Sequence, residues 1–200
     1  MKTISGRAFV FGDDINTDVM APGLYFKSPM EEMAKHCLEA VNPVFAKAVQ
    51  PGDIVVAGRN FGVGSAREQA AMALTHLGVG AVLAVSFGRI FYRNALNFGL
   101  PALFFPQAAE IHAGDELEVE PLAGLIRNTT RGREYRVDGI PAHLMDMVAA
   151  GGASICGAAA VDTQDVPVAR SAGDKRCPWR RLRSARRRSP PASSGGTSGR

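Results

Sequence analysis

GRNFGVGSARE, residues 58–68, lies between an apolar run, DIVVAG (53–58), and a run with helical character, SAREQAAMALTHLG (65–78). A strand that feeds a glycine-rich turn and then a helix is the repeating step of a layered α/β fold. Gly58, Gly62 and Gly64 let the chain turn sharply and approach a ligand closely. Ser65 and Glu68 have the S-x-x-E spacing of a capping box, so the spacing predicts a helix that starts at Ser65 and stops at Gly78. The free N–H groups of such a helix start, together with its dipole, favour an anion. Arg67 falls in the first turn, where the dipole disfavours a cation. A bound carboxylate, gripped by two parallel hydrogen bonds, accounts for a guanidinium there. The plain alternative is that Ser65 is only a cap and Arg67 only a surface charge. The stretch is not a P-loop, because no GK[ST] follows the glycines. Nor is it a dinucleotide fingerprint, because Ser-Ala-Arg follows G-x-G.

Outward from this turn the same alternation continues. RAFVFG (7–12) reads as a strand and DDINTDVMAPG (13–23) as a turn-rich polar loop. SPMEEMAKHCLEAV (28–41) predicts a helix, with Ser28 as cap, Pro29 at its first position and Glu31 and Glu32 against its dipole. AVLAVSFG (81–88) predicts a strand, RIFYRNALNFG (89–99) a helix and PALFF (101–105) a strand. The resulting strand–helix–strand–helix–strand series predicts an α/β fold with a partly parallel sheet and flanking helices. DELEVEP, GLIRNT and EYRVDG are three further short strand candidates, and IPAHLMDMVAAGG (140–152) predicts a closing helix.

Apolar residues make up 46% of the 200, enough for one core-forming domain, expected over residues 1–164. No run of about 18 apolar residues is present, so no membrane span is expected. The opening MKTISGRAFVFGDD lacks the basic-then-apolar pattern of a signal peptide, which predicts a cytoplasmic location. Three scattered cysteines, Cys37, Cys156 and Cys177, fit free thiols rather than a disulfide framework. No CxxC or His/Cys cluster points to a metal in this chain. The net charge of +4 is two charges combined: residues 1–169 hold 13 Lys and Arg against 18 Asp and Glu, a net −5, and residues 170–200 hold 10 against 1, a net +9. The folded part is therefore mildly acidic, and the basic balance gives no ground for a nucleic-acid partner. Residues 165–200, rich in Arg, Ser, Pro and Gly, are expected to be disordered. They read as a solvated tail, as the product of a shifted reading frame in a GC-rich gene, or as a basic arm for RNA. His36, His76, His112 and His143 share no motif and read as structural or solvated; Arg89, Arg93 and Asn94 read as surface or interface groups.

GRNFGVGSAREQA (58–70) resembles the GxNFGxGSSREHA segment of aconitase-superfamily small subunits. GDDINTDVMAPGLY (12–25) resembles their DNIDTD-type loop. AKHCLEAVNPVFAKAVQPGDIVVAGRNFG (34–62) and SFGRIFYRNALNFGLPAL (86–103) continue the similarity in order. Four ordered motifs over roughly residues 5–150 identify the chain as a member of that superfamily, nearest the 3-isopropylmalate dehydratase small subunits.

The resemblance implies a compact β/β/α domain that swivels over a separate large subunit. The expected [4Fe–4S] cluster sits on that partner, with no cofactor in this chain. The implied reaction is the interconversion of 2-isopropylmalate and 3-isopropylmalate by dehydration and rehydration, in leucine biosynthesis. Ser65 is implied as the base, and Arg67 as the ligand of a substrate carboxylate. Gly64, Ala66, Asn60 and Lys27 are implied around the same dicarboxylate or tricarboxylate. A serine hydroxyl is a poor base in water, so its alkoxide needs aimed N–H groups, nearby positive charge and excluded water. The chain departs from the pattern at Ala66, where the family has a second serine, at Gln69 for its histidine and at Val63 for its cysteine. The loop 24–28 (LYFKS) corresponds to a substrate-selecting loop in relatives. There Leu24 or Phe26 would face an alkyl group and Lys27 a second carboxylate, although Phe26 is equally read as core. Two other readings stay open: a sibling hydro-lyase acting on homoaconitate, citraconate or a dimethylmalate, and a non-catalytic anion- or RNA-binding module.

Overall fold

Every residue of strand β2 (Ile54–Ala57) is buried, as a strand covered on both faces must be. Val55 and Ala57 enter one apolar cluster, and Ile54 and Val56 enter another on the opposite face. The computed structural model describes residues 3–152. The expected tail at 165–200, the domain boundary at 164, Cys156 and Cys177 lie outside the described residues.

Among the described residues seven strands, β1 to β7 in chain order, form one sheet in the order β4-β3-β2-β1-β5-β6-β7. β1 (Ile4–Val10), β2, β3 (Ala81–Ala84) and β4 (Ala102–Phe104) are parallel, with Val10 opposite Val56, Val56 opposite Leu83 and Leu83 opposite Leu103. On the other side of β1, β5 (Glu116–Glu120), β6 (Leu125–Asn128) and β7 (Arg133–Arg136) run antiparallel. The two halves follow from their residue patterns. IVVA and AVLA are apolar throughout, whereas ELEVE alternates, so that Leu117 and Val119 are buried between more open glutamates. Among the described residues six α-helices flank the sheet: α1 (Thr17–Met20), α2 (Met30–Lys35), α3 (Phe45–Ala48), α4 (Glu68–His76), α5 (Arg89–Asn97) and α6 (Ala142–Ala149). Met20, Met33, Phe45, Leu74 and Phe91 pack on one face of the parallel half. Leu96, Met147 and Val148 lie in the cluster on the other face, with Leu117, Val119 and Ile126. No helix among the described residues is long and apolar enough to cross a membrane.

The α/β architecture with a partly parallel sheet is as the sequence predicts, and two helix starts are not. The helix expected over 28–41 is confined to Met30–Lys35, with Pro29 rather than Ser28 at its N-cap. Its end is tertiary: Leu38 adopts φ +60, and its N–H donates to the carbonyl of Val19 in α1 at 3.0 Å, which draws the chain out of the helical path. The helix expected from Ser65 starts at Glu68, with Arg67 as an extended N-cap that makes no side-chain capping bond. The Ser65–Glu68 capping box therefore does not form. The stop at Gly78 holds: this residue has φ +81 and its N–H donates to Thr75 O at 3.0 Å. The polar run at 13–23 contains a short helix, α1, because Asn16 caps it by accepting from Val19 N at 2.9 Å.

Candidate active site

Ligands of open α/β sheets bind beyond the carboxyl ends of the parallel strands. Three loops meet there: residues 11–17 after β1, 58–65 after β2 and 85–88 after β3. Parallel pairing continues past the strand ends, with Asn16 bridged to Val63 and Phe61 to Phe87. Gly62 N donates to Ile15 O at 2.7 Å, Thr17 N to Val63 O at 2.9 Å and Gly88 N to Phe61 O at 2.8 Å. Gly62 has φ +76, and a Cβ at this position would collide with the Phe91 side chain. Gly88 packs its missing side chain against the Gly62 carbonyl. The turn thus rests directly on α5, at a spacing that glycine alone permits.

This packing delivers Ser65 to the surface. Thr17 Oγ1 donates to the Ser65 carbonyl at 3.1 Å, and Arg67 N donates to the same oxygen at 2.7 Å. Both bonds fix the backbone of Ser65, and the tight turn between Ser65 and Arg67 is the reason the helix starts late. The Ser65 hydroxyl is not used as a helix cap, and the residue is exposed, as are Gly64 and Ala66. The N–H groups of Glu68 and Gln69 at the start of α4 lie beside it in the chain without intrahelical acceptors, whereas Ala70 N donates to Arg67 O at 3.2 Å.

Arg67 is held on three sides. It forms an ion pair with Asp18, donates from Nη1 to Ala21 O at 3.0 Å and sets its guanidinium 4.6 Å from the centre of the Phe26 ring. A carboxylate of the chain itself, Asp18 on α1, thus pairs with the guanidinium for which the sequence suggested a bound one. The Arg67 side chain is 20% exposed and that of Asp18 is 56% exposed, so the pair lies at the surface of the site rather than in the core. Phe26, read equally as core or as pocket from sequence, is 42% exposed and acts as the platform for Arg67.

Asn60 is tied rather than free. Its amide Nδ2 donates to Asp14 Oδ1 at 2.8 Å, its backbone N–H donates to Ser86 Oγ at 2.8 Å, and both Asn60 and Asp14 have positive φ, +58 and +56. Asp13 receives Arg59 N at 2.7 Å through Oδ1. These bonds make the 12–18 loop the support of the glycine turn. Lys27 and Leu24 are exposed on the neighbouring loop, Leu24 at 85%. Sequence reasoning did not single out Ser86 or Gly88. Their only signal was their position just beyond β3, where the parallel strands end.

Among the described residues, no three His, Cys, Asp or Glu side chains are grouped to hold a metal ion. The one described cysteine, Cys37, is fully buried, and burial pushes its thiol pKa up, so it offers neither a thiolate ligand nor a nucleophile.

The family described as the aconitase C-terminal domain matches residues 18–108. The chain is 50% identical over 147 residues to the 3-isopropylmalate dehydratase small subunit 1 of Thermotoga maritima, covering 72% of this chain and 89% of that one. It is 47% identical over 150 residues to the methanogen homoaconitase small subunit of Methanothermobacter thermautotrophicus, covering 74% and 87%. The crystal structure of 3-isopropylmalate dehydratase from Methanocaldococcus jannaschii superposes with a TM-score of 0.71 at 41% identity, covering 76% of this chain and 90% of that chain.

Proposed function

The chain belongs to the family of 3-isopropylmalate dehydratase small subunits within the aconitase C-terminal domain group, and from that membership we propose how its own residues serve the reaction. The enzyme is a hydro-lyase that interconverts 2-isopropylmalate and 3-isopropylmalate by removing and re-adding water, a step of leucine biosynthesis, and it acts only with a large subunit. Arg67 grips one substrate carboxylate, sharing its guanidinium between Asp18 and the ligand. Ser65, as alkoxide, takes the proton from the carbon beside a carboxylate; that C–H bond breaks, a C=C bond forms, and hydroxide leaves from the neighbouring carbon. A [4Fe–4S] cluster on the partner would supply the Lewis acid for the leaving hydroxide.

The remaining roles follow from the support of the turn. Backbone N–H groups at Gly64 and Ala66 and in the first turn of α4 face the developing charge on the serine oxygen and the substrate. Closure over the partner excludes water and strengthens these interactions. Asn60 acts by holding the turn through Asp14, leaving its Oδ1 for the ligand. Ala66 removes one hydroxyl donor, and Lys27 adds a cation at the loop that faces the distal end of the substrate.

The observation that supports this reading most is the joint placement of Ser65 and Arg67 beyond the carboxyl ends of three parallel strands. The test is Ser65→Ala in the reconstituted two-subunit enzyme. Turnover of isopropylmalate should fall by about 10³-fold or more, as expected for loss of a general base, while the subunits still co-sediment. Turnover near that of the unmodified pair would remove Ser65 from the chemistry. A parallel panel of isopropylmalate, homoaconitate, citraconate and dimethylmalate should give isopropylmalate the highest kcat/KM.

A further inference from the structure

The loop that carries Phe26 and Lys27 is anchored at Tyr25, which packs partly buried against the core. Its single turn of 3-10 helix, Gly23–Tyr25, fully buries none of its residues and has no side-chain cap. Two further contacts, made from opposite sides, brace it. From α4, Arg67 lies over the Phe26 ring. From the end of α2, the His36 ring lies face to face with Tyr25, their centres 3.8 Å apart and their planes 6° apart.

His36 is itself fixed. Its Nδ1 meets Glu39 Oε2 at 2.6 Å and its Nε2 lies 3.6 Å from Glu32 Oε1. Glu32 is in turn bonded by Lys35 Nζ at 2.8 Å through its other oxygen. The His36 side chain is 25% exposed, so the ring is mostly shielded by its neighbours. A histidine needed only to end α2 would require neither a coplanar aromatic partner nor two carboxylates on its two nitrogens.

We propose that His36 is a positioning residue for substrate: tethered by Glu39 and stacked on Tyr25, it holds the 24–27 loop so that Phe26 stays beneath Arg67 and the loop keeps its binding geometry. The proposal rests on the reading that this loop and Arg67 contact substrate. His36 acts through Tyr25 and touches no reacting atom, so its loss raises KM and leaves the proton-transfer step at Ser65 unchanged.

The experiment uses the reconstituted pair with His36→Ala, His36→Phe and, from the other side of the stack, Tyr25→Leu. His36→Ala and Tyr25→Leu should each raise KM for isopropylmalate by about tenfold, the scale of one lost aromatic stack, with kcat within about twofold. His36→Phe, which keeps an aromatic ring on Tyr25, should retain KM within about threefold of the unmodified enzyme, the lower end of that scale. Unchanged KM in both stack-breaking variants overturns the proposal, as does a KM for His36→Phe equal to that of His36→Ala.

A second readout separates this proposal from the assignment of function. In the full chain without partner, the Arg67 Nε–H resonance should broaden or shift in His36→Ala and not in His36→Phe. If the unmodified pair turns over no substrate of the panel while this resonance follows His36, the functional assignment fails and the brace stands. If the pair is active while both KM and the resonance ignore His36, the brace alone fails.

Discussion

A guanidinium at the N-terminal end of a helix is poorly placed against the dipole, and Arg67, the N-cap of α4, shows how the cost is offset. Asp18 supplies the opposite charge, the Ala21 carbonyl takes one N–H and the Phe26 face takes the cation. None of these three partners belongs to α4, so the position depends on α1 and the loop after it. Lysine could satisfy the charge and not the planar fork. Arg67→Lys should lower kcat/KM in the reconstituted enzyme by about 10–100-fold, the scale of one charge-assisted hydrogen bond, with subunit association unchanged. Steady-state kinetics over a range of isopropylmalate concentrations checks this, and equal kcat/KM for the two residues would show that geometry at the guanidinium is irrelevant.

At the level of elements, the site belongs to the gaps between them. The loops after β1, β2 and β3 bond mainly to one another, and α4 begins only after the Ser65–Arg67 turn is complete. The capping box suggested by Ser65 and Glu68 lost to this competition: the Ser65 carbonyl is taken by Thr17 and by Arg67 N, leaving the hydroxyl free. The contact of Gly62 with Phe91 in α5 sets the height of the turn. Gly62→Ala would therefore combine a strained left-handed φ with a clash, and should destabilise the fold by about 2 kcal/mol or more in urea unfolding. Turnover should fall with it, because the turn cannot keep its place. Unchanged unfolding and activity would show that α5 yields to the added methyl group.

The whole sheet has two characters joined at β1. The parallel half, buried throughout along β2 and β3, presents the site; the antiparallel half is one-sided and depends on polar fastenings at its end. Asp115, 4% exposed, is the main one. It accepts from His112 N at 3.0 Å, Asn128 Nδ2 at 2.7 Å and Arg131 Nε at 3.0 Å. Burial works against its charged form, yet these three donors and the Arg131 charge outweigh it and hold its pKa below the ordinary carboxylate value. A depressed folded pKa means the contribution is complete at neutral pH and is lost as pH falls below about 4 towards the folded value. Asp115→Asn should lower Tm by about 5 °C at pH 7, and the difference from the unmodified protein should shrink in melts at pH 3. A difference that persists undiminished at pH 3 would assign the effect to shape rather than charge.

The succession of strands, the longer helices and the partly parallel sheet were legible in the residues, because apolar periodicity and glycine spacing act over a few neighbours in the chain; the short helices α1 and α3 and the turn from Ser65 to Arg67 were not. Contacts between distant segments decided the rest. Helix α2 stops at Lys35 because Val19 captures the N–H of Leu38, and α4 starts at Glu68 because Thr17 captures the carbonyl of Ser65. Arg67 meets Asp18 across 49 positions of sequence, and Asn60 meets Asp14 across 46. His36 gave no sign in sequence that it stacks on Tyr25. Local pattern fixes which element a residue joins; which free backbone or side-chain group it satisfies depends on what the fold brings beside it, and that is a property of the tertiary structure.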